Sequence, residues 1–141
     1  MATELAKELV RDGEGAQTLI EVSVNGSKSK DDARKAAREI ASSLLVKAMV
    51  HGKDPNWGRI VMALGNSGIE LQEDKIEVFV SDIHIVNEGL AIPYFKDAVV
   101  SAMAGKEVKF RVDLNLGNES ATAWGCDLTE EYVIFNSAYS T

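Results

Sequence analysis

The chain has 141 residues, 45% hydrophobic and 26% charged, the balance of an ordinary soluble globular domain long enough to bury a core without disulfides or metals. Its net charge of −7, with no basic block to offset it, argues against a nucleic-acid or anionic-membrane surface. No apolar run approaches the roughly 18 residues of a membrane span and no signal peptide precedes the fold, while one cysteine and two scattered histidines exclude an internal disulfide and any metal-ligand cluster, which fits a reducing cytoplasm.

Residues 2–11 read as a helix, with Leu5, Leu9 and Val10 on one side and Glu4, Lys7 and Glu8 on the other. Asp12-Gly13-Glu14-Gly15-Ala16 breaks it. Residues 17–25 alternate, with Thr18, Ile20, Val22 and Val24 on one face, and predict a strand. Asn25-Gly26 is expected to turn the chain. A helix then begins at Ser29 or Lys30, and its Ala33, Ala36, Ala37, Ile40 and Ala41 form a stripe of small residues suited to lying close on a sheet. Residues 42–50 fit either a further helical turn or a buried strand, because so short an apolar run shows no decisive period.

The most punctuated stretch follows, Gly52-Lys53-Asp54-Pro55-Asn56-Trp57-Gly58-Arg59. Asp54 before Pro55 reads as the cap of a helix whose Trp57, Ile60, Val61 and Leu64 lie near one face and which stops at Gly65 or Gly68. Trp57 then reads as a core anchor and Arg59 as a structural ion-pair partner. Residues 76–80 and 83–86 are strand-like, with Asp82 marking a bulge or bend rather than a clean hairpin. After the Asn87-Glu88-Gly89 turn, residues 93–104 hold a short helix with Phe95, Ala98, Val99 and Met103 inward, stopped by Gly105. Residues 107–114 alternate as a half-exposed strand. Leu116-Gly117-Asn118-Glu119 is expected to turn it, so that residues 120–126 pair beside it as a hairpin partner. Thr129, with Glu130 and Glu131, caps a last helix that ends near Asn136. The order of elements predicts one domain over residues 1–141, an α/β or α+β layer fold with helices covering a mixed β-sheet.

Glu14 between two glycines is the most suggestive single residue. It is either a carboxylate that holds a cationic amino group or a solvated loop acid. Ser120, Thr122 and Thr129 beside Cys126-Asp127 read as a strand hydroxyl row rather than a nucleophile set, Cys126 as a small buried hydrophobe, and His51 and His84 as structural. The glycines form no dinucleotide or phosphate-loop pattern.

Three blocks, taken with the chain's ending, resemble one family. They are Leu5-Ala6-Lys7-Glu8-Leu9-Val10-Arg11-Asp12-Gly13-Glu14-Gly15-Ala16, Asp54-Pro55-Asn56-Trp57-Gly58-Arg59-Ile60 and Ser120-Ala121-Thr122-Ala123-Trp124-Gly125-Cys126-Asp127-Leu128-Thr129, followed by Asn136-Ser137-Ala138-Tyr139-Ser140-Thr141. In order and spacing they resemble the C-terminal part of the ornithine acetyltransferase family, the bifunctional glutamate N-acetyltransferases of arginine biosynthesis. The resemblance implies self-cleavage between an alanine and a threonine into two chains that stay together. The new N-terminal threonine takes the acetyl group from N-acetylornithine and passes it to glutamate, by covalent ping-pong catalysis with its free α-amine as base. A pair of threonines on the other chain stabilises the oxyanion. It also implies that Glu14, Asn136 and Thr141 contact substrate, that no cofactor is needed although acetyl-CoA is an alternative donor, and that the intact enzyme is an oligomer.

The family's nucleophile precedes the D-G-E-G block by a substantial stretch. Thr3 follows Ala2, but it lies only a helix away from Glu14 and opens a charged helix rather than the family's small apolar run. The expectation is therefore a C-terminal portion of the second chain without the nucleophile, with no catalytic residue of its own, whose partner is the complementary catalytic segment. The alternative is a non-catalytic α/β module binding an amino acid or a protein partner.

Overall fold

The structure, a computed structural model, describes residues 18–127. The predicted helices over residues 2–11 and after Thr129 lie outside them. The strands are β1 (Leu19–Ser27), β2 (Glu77–Val80), β3 (Ile83–Asn87), β4 (Leu90–Ala91), β5 (Glu107–Asp113) and β6 (Glu119–Cys126). The helices are α1 (Lys30–Ser42), α2 (Leu44–Gly52), α3 (Trp57–Asn66) and α4 (Lys96–Met103). All six strands form one mixed sheet in the order β4-β3-β2-β5-β1-β6. Only β1 and β5 run parallel; every other pair is antiparallel. The predicted mixed sheet covered by helices is the fold observed.

Alternation in the strands decides which face the helices cover. Ile20, Val22 and Val24 of β1, Val108, Phe110 and Val112 of β5, and Val78 and Val80 of β2 join Ala36, Ala37, Ile40, Val46, Met49, Ile60, Leu64, Val99 and Met103 of the helices in one buried core. The alanine stripe of α1 is fully buried, as its spacing predicts, and Ser29 caps the helix by accepting the Asp32 N–H. The opposite face is polar. Register sets Thr122, Ser23, Arg111, Phe79 and His84 side by side across five strands. Within this row the Ser23 and Thr122 hydroxyls are 3.1 Å apart, the Arg111 guanidinium lies 4.1 Å from the Phe79 ring centroid, and His84 stacks on Phe79 at 4.2 Å. The expected hydroxyl row is therefore present at Thr122.

Several local expectations give way to tertiary context. Residues 42–50 resolve as helix α2, because the Ser43 hydroxyl caps Val46 and a helical period then buries Val46, Met49 and Val50 while Leu44 and Leu45 stay exposed. Asn25-Gly26 does not turn the chain; β1 continues through a bulge to Ser27, with Gly26 at φ +69°. Asn56, not Asp54, caps α3, its side chain accepting from Gly58 at 3.2 Å. Asp54 is taken up in closing α2, where its N–H reaches the Met49 carbonyl. Trp57 is only partly buried, at the margin of the core rather than within it. Arg59 is structural in a different way from that expected: its guanidinium donates to the Leu45 carbonyl at 3.2 Å, tying α3 to the start of α2.

Ser81 and Asp82 do form a tight hairpin between β2 and β3, and the irregularity falls inside the pair, between Val78 and Phe79. Phe95 precedes α4 and is 80% exposed, while Val99 and Met103 carry the buried side of the helix. The largest correction concerns β6, which pairs with β1 and not with β5. After β5 the chain crosses the end of β1, the N–H groups of Leu116 and Gly117 both bonding to the Gly26 carbonyl. A Cβ at Gly117 would run into the Ser27 carbonyl, so the crossing is close enough to require glycine.

Candidate functional site

At one end of the sheet the first and last described residues meet. The Thr18 N–H donates to Asp127 Oδ1 at 2.9 Å, and the Asp127 N–H donates to the Thr18 carbonyl at 3.0 Å. Asp127 is 4% exposed, and its other carboxylate oxygen lies 3.4 Å from Nδ1 of His51, in the last turn of α2. One buried carboxylate thus joins the start of β1, the end of β6 and the end of a helix. Bonds between a buried carboxylate and N–H donors are among the stronger ones in a fold.

The neighbourhood is built by close packing. Gly125 sits where a Cβ would run into the Ala41 carbonyl, so α1 rests directly on β6. Beside this contact Arg38, Ala41, Ser42, Lys47, Ala123, Trp124 and Gly125 line a small cavity of about 130 Å³. Trp124 donates its indole N–H to Glu21 at 3.1 Å across the β1–β6 pair. Lys47 is 8% exposed, burying its aliphatic stem against this wall. The His51 side chain is 47% exposed.

Glu14, Asn136 and Thr141, the predicted substrate contacts, lie outside the described residues. The first and last described residues, Thr18 and Asp127, are hydrogen-bonded to each other. His51 and Asp127 stand far apart in the sequence with no periodic relation between them, and the fold brings them together. His84 is stacked on Phe79 with Nε2 buried and 3.4 Å from Glu77 Oε1. Cys126 is buried, as expected. Among the described residues no group of three or more His, Cys, Asp or Glu is placed to hold a metal ion, and no helix is long and apolar enough to cross a membrane.

Comparison with known proteins places this geometry among relatives. The model of the ArgJ family matches residues 1–141. A curated relative named arginine biosynthesis bifunctional protein ArgJ, from Symbiobacterium thermophilum, is 47% identical over 97% of this chain and 34% of its own length. A glutamate N-acetyltransferase from Methanosarcina acetivorans is 46% identical over 99% of this chain and 36% of its own. The crystal structure of an arginine biosynthesis bifunctional protein from Bacillus halodurans superposes with a TM-score of 0.92 at 39% identity, covering 96% of this chain and 64% of that one. The chain spans about a third of the length of the curated relatives it matches.

Proposed function

The chain belongs to the ArgJ family, and from that premise we propose that it is the substrate-holding part of a cytoplasmic N-acetyltransferase of arginine biosynthesis. The enzyme moves an acetyl group from N-acetylornithine to glutamate. The acetyl-carrying threonine belongs to a complementary segment that these 141 residues do not match. In that segment the threonine hydroxyl attacks the acetyl carbonyl, ornithine leaves as the free amine, and the resulting ester is opened by the amine of glutamate. No redox step or cofactor enters this scheme.

This chain's task is to hold two substrates that share a carboxylate, one of which, N-acetylornithine, keeps one unacetylated ammonium group. Glu14 supplies a carboxylate for that ammonium, and Asn136 and Thr141 supply polar contacts from the C-terminal segment. The observation that supports this division is the reciprocal pair of bonds between Thr18 and Asp127. Glu14 is four positions before Thr18, so its Cα lies within about 14 Å of the junction whatever path the chain takes. The segment bearing Asn136 and Thr141 leaves from Asp127 at the same point. A long-range contact in the sheet thus brings Thr18 and Asp127 together.

Acetyl transfer from N-acetylornithine to glutamate, measured with the chain alone and again with the complementary segment supplied, tests the reading. No transfer by the chain alone and transfer on complementation are expected. Transfer by the chain alone would place the nucleophile within these 141 residues. Failure to complement would favour a non-catalytic module that binds an amino acid or a protein.

A further inference from the structure

Trp57 packs against the core on one side and on the other lines an open groove of about 410 Å³, where Val61 of α3 and Leu90 of β4 join it. Leu90 is 71% exposed in the 141-residue chain. The exposed Phe95 follows Tyr94, whose hydroxyl reaches the Pro55 carbonyl two residues before Trp57. Apolar side chains exposed singly are ordinary, whereas several gathered at one groove mark an interaction surface.

The rim of the groove is acidic. Glu73, Asp74 and Glu88 line it, all three exposed, and among the described residues no Lys or Arg does. Among the described residues none of these three carboxylates makes an ion pair. Backbone contacts fix the two loops that carry them. The Gly89 N–H donates to the Ile76 carbonyl at 2.9 Å, and a Cβ at Gly89 would run into the Glu73 carbonyl. Glu88 takes φ +51° in the two-residue turn between β3 and β4, where Asn, Asp or Gly is the relaxed choice. Three like charges thus surround an apolar floor with no opposite charge to offset them, which suits an apolar side chain flanked by Lys or Arg. Register places the groove far from the junction. Leu90 pairs with Asn87, beside the start of β2, where Glu77 is level with Asp113 and Asn25. From Thr18 that is seven residues along the sheet and four strands across it, roughly 30 Å.

We propose that the groove between Trp57 and Leu90 receives a segment of the complementary part of the enzyme, one that presents an apolar side chain flanked by Lys or Arg. The inference rests on the acetyltransferase reading and names where its two parts join. Relatives run to nearly three times the length matched here, so there is ample chain outside it to supply the segment. A second copy of this chain is a poorer occupant, because it brings a net charge of −7 to an acidic rim. The chain's own residues before Thr18 and after Asp127 start from the far corner of the sheet, and Leu90 is exposed in a chain that includes them.

Equilibrium binding of the full chain to the separately produced complementary segment, at low and at high salt, tests this. Leu90→Glu should weaken the complex at least about tenfold, because it forces a charge into an apolar contact, while the isolated chain keeps its melting midpoint. Glu88→Lys should weaken it about threefold to tenfold at low salt and less at high salt. Asp82→Lys, the same charge change at the other end of the β2–β3 hairpin, should leave binding unaltered. A complex active in acetyl transfer that binds as tightly in all three variants overturns the groove as the interface and leaves the acetyltransferase reading standing. Equal losses in Glu88→Lys and Asp82→Lys would put overall charge in place of a local contact and overturn it as well. Failure of the unmodified chain to form any complex overturns both readings. A lowered melting midpoint in Leu90→Glu with unchanged binding would assign the groove to the chain's own terminal residues. A dimer of the isolated chain that Leu90→Glu abolishes would assign it to a second copy. Either result overturns the proposed occupant.

Discussion

Replacing Gly125 by alanine adds one methyl group where α1 lies directly on β6. The obstacle is the carbonyl of Ala41 in the last turn of α1, a backbone atom that cannot move aside without displacing the helix. Overpacking of this kind costs about 1–3 kcal/mol, occasionally more, and a rigid backbone obstacle puts Gly125→Ala at about 3 kcal/mol. Against a domain stability of roughly 5–15 kcal/mol, that lowers the melting midpoint by about 10 °C for a chain of this size. Gly65→Ala in α3 is the control, because a Cβ there meets nothing within 4 Å. Gly65 is the last residue but one of the helix, so the same methyl group should stabilise by less than the roughly 0.5–1 kcal/mol of a helix interior. Thermal unfolding followed by circular dichroism on both variants reads the two signs together. If Gly125→Ala melts with the parent protein, α1 does not rest on β6 as described and the β1–β6 assignment loses its support.

Asp127→Ala leaves the Thr18 N–H without its acceptor and should cost about 2–3 kcal/mol by urea unfolding, whereas Asp127→Asn, which keeps an acceptor oxygen, should cost under about 1.5 kcal/mol. Equal losses would mean that charge rather than the bond holds the junction. Trp57→Ala should cost about 3 kcal/mol, the lower end for an aromatic side chain, because the ring is only partly buried; an unchanged urea midpoint would place the ring outside the core's margin altogether. Deleting residues 139–141, or fusing a tag after Thr141, should abolish acetyl transfer in the complemented enzyme with the chain's melting midpoint unchanged, and full activity in a tagged chain would remove the C-terminal segment from the site.

Much of the fold is legible because local patterns and tertiary packing agree. The alternation of Val22 and Val24 in β1 and of Val108, Phe110 and Val112 in β5, and the alanine stripe of α1, each name a buried face that the core then uses. What a pattern along the chain cannot state is which strand lies beside which. Residues 120–126 read as a strand, yet their neighbour is decided by the close crossing at Gly117 and the contact of Gly125 with Ala41, both far away in sequence. Phe95 shows a second limit: helical spacing placed it inward, but it precedes the first turn of α4, where that spacing no longer applies. The site residues and the junction come from different sources. Glu14, Asn136 and Thr141 come from the family resemblance, and the bonds of Asp127 to Thr18 and its approach to His51 come only from folding.

The rate of acetyl transfer to glutamate by the complemented enzyme carrying Glu14→Gln, beside the same enzyme unmodified, tests most directly whether this chain holds the substrate. The substitution keeps the size of the side chain and removes its charge. Losing a charge-assisted hydrogen bond worth about 1.5–3 kcal/mol predicts a fall in kcat/KM of roughly tenfold to a hundredfold, with the melting midpoint unchanged. Unaltered kcat/KM for both N-acetylornithine and glutamate would return Glu14 to the status of a solvated loop acid and contradict the account at its centre.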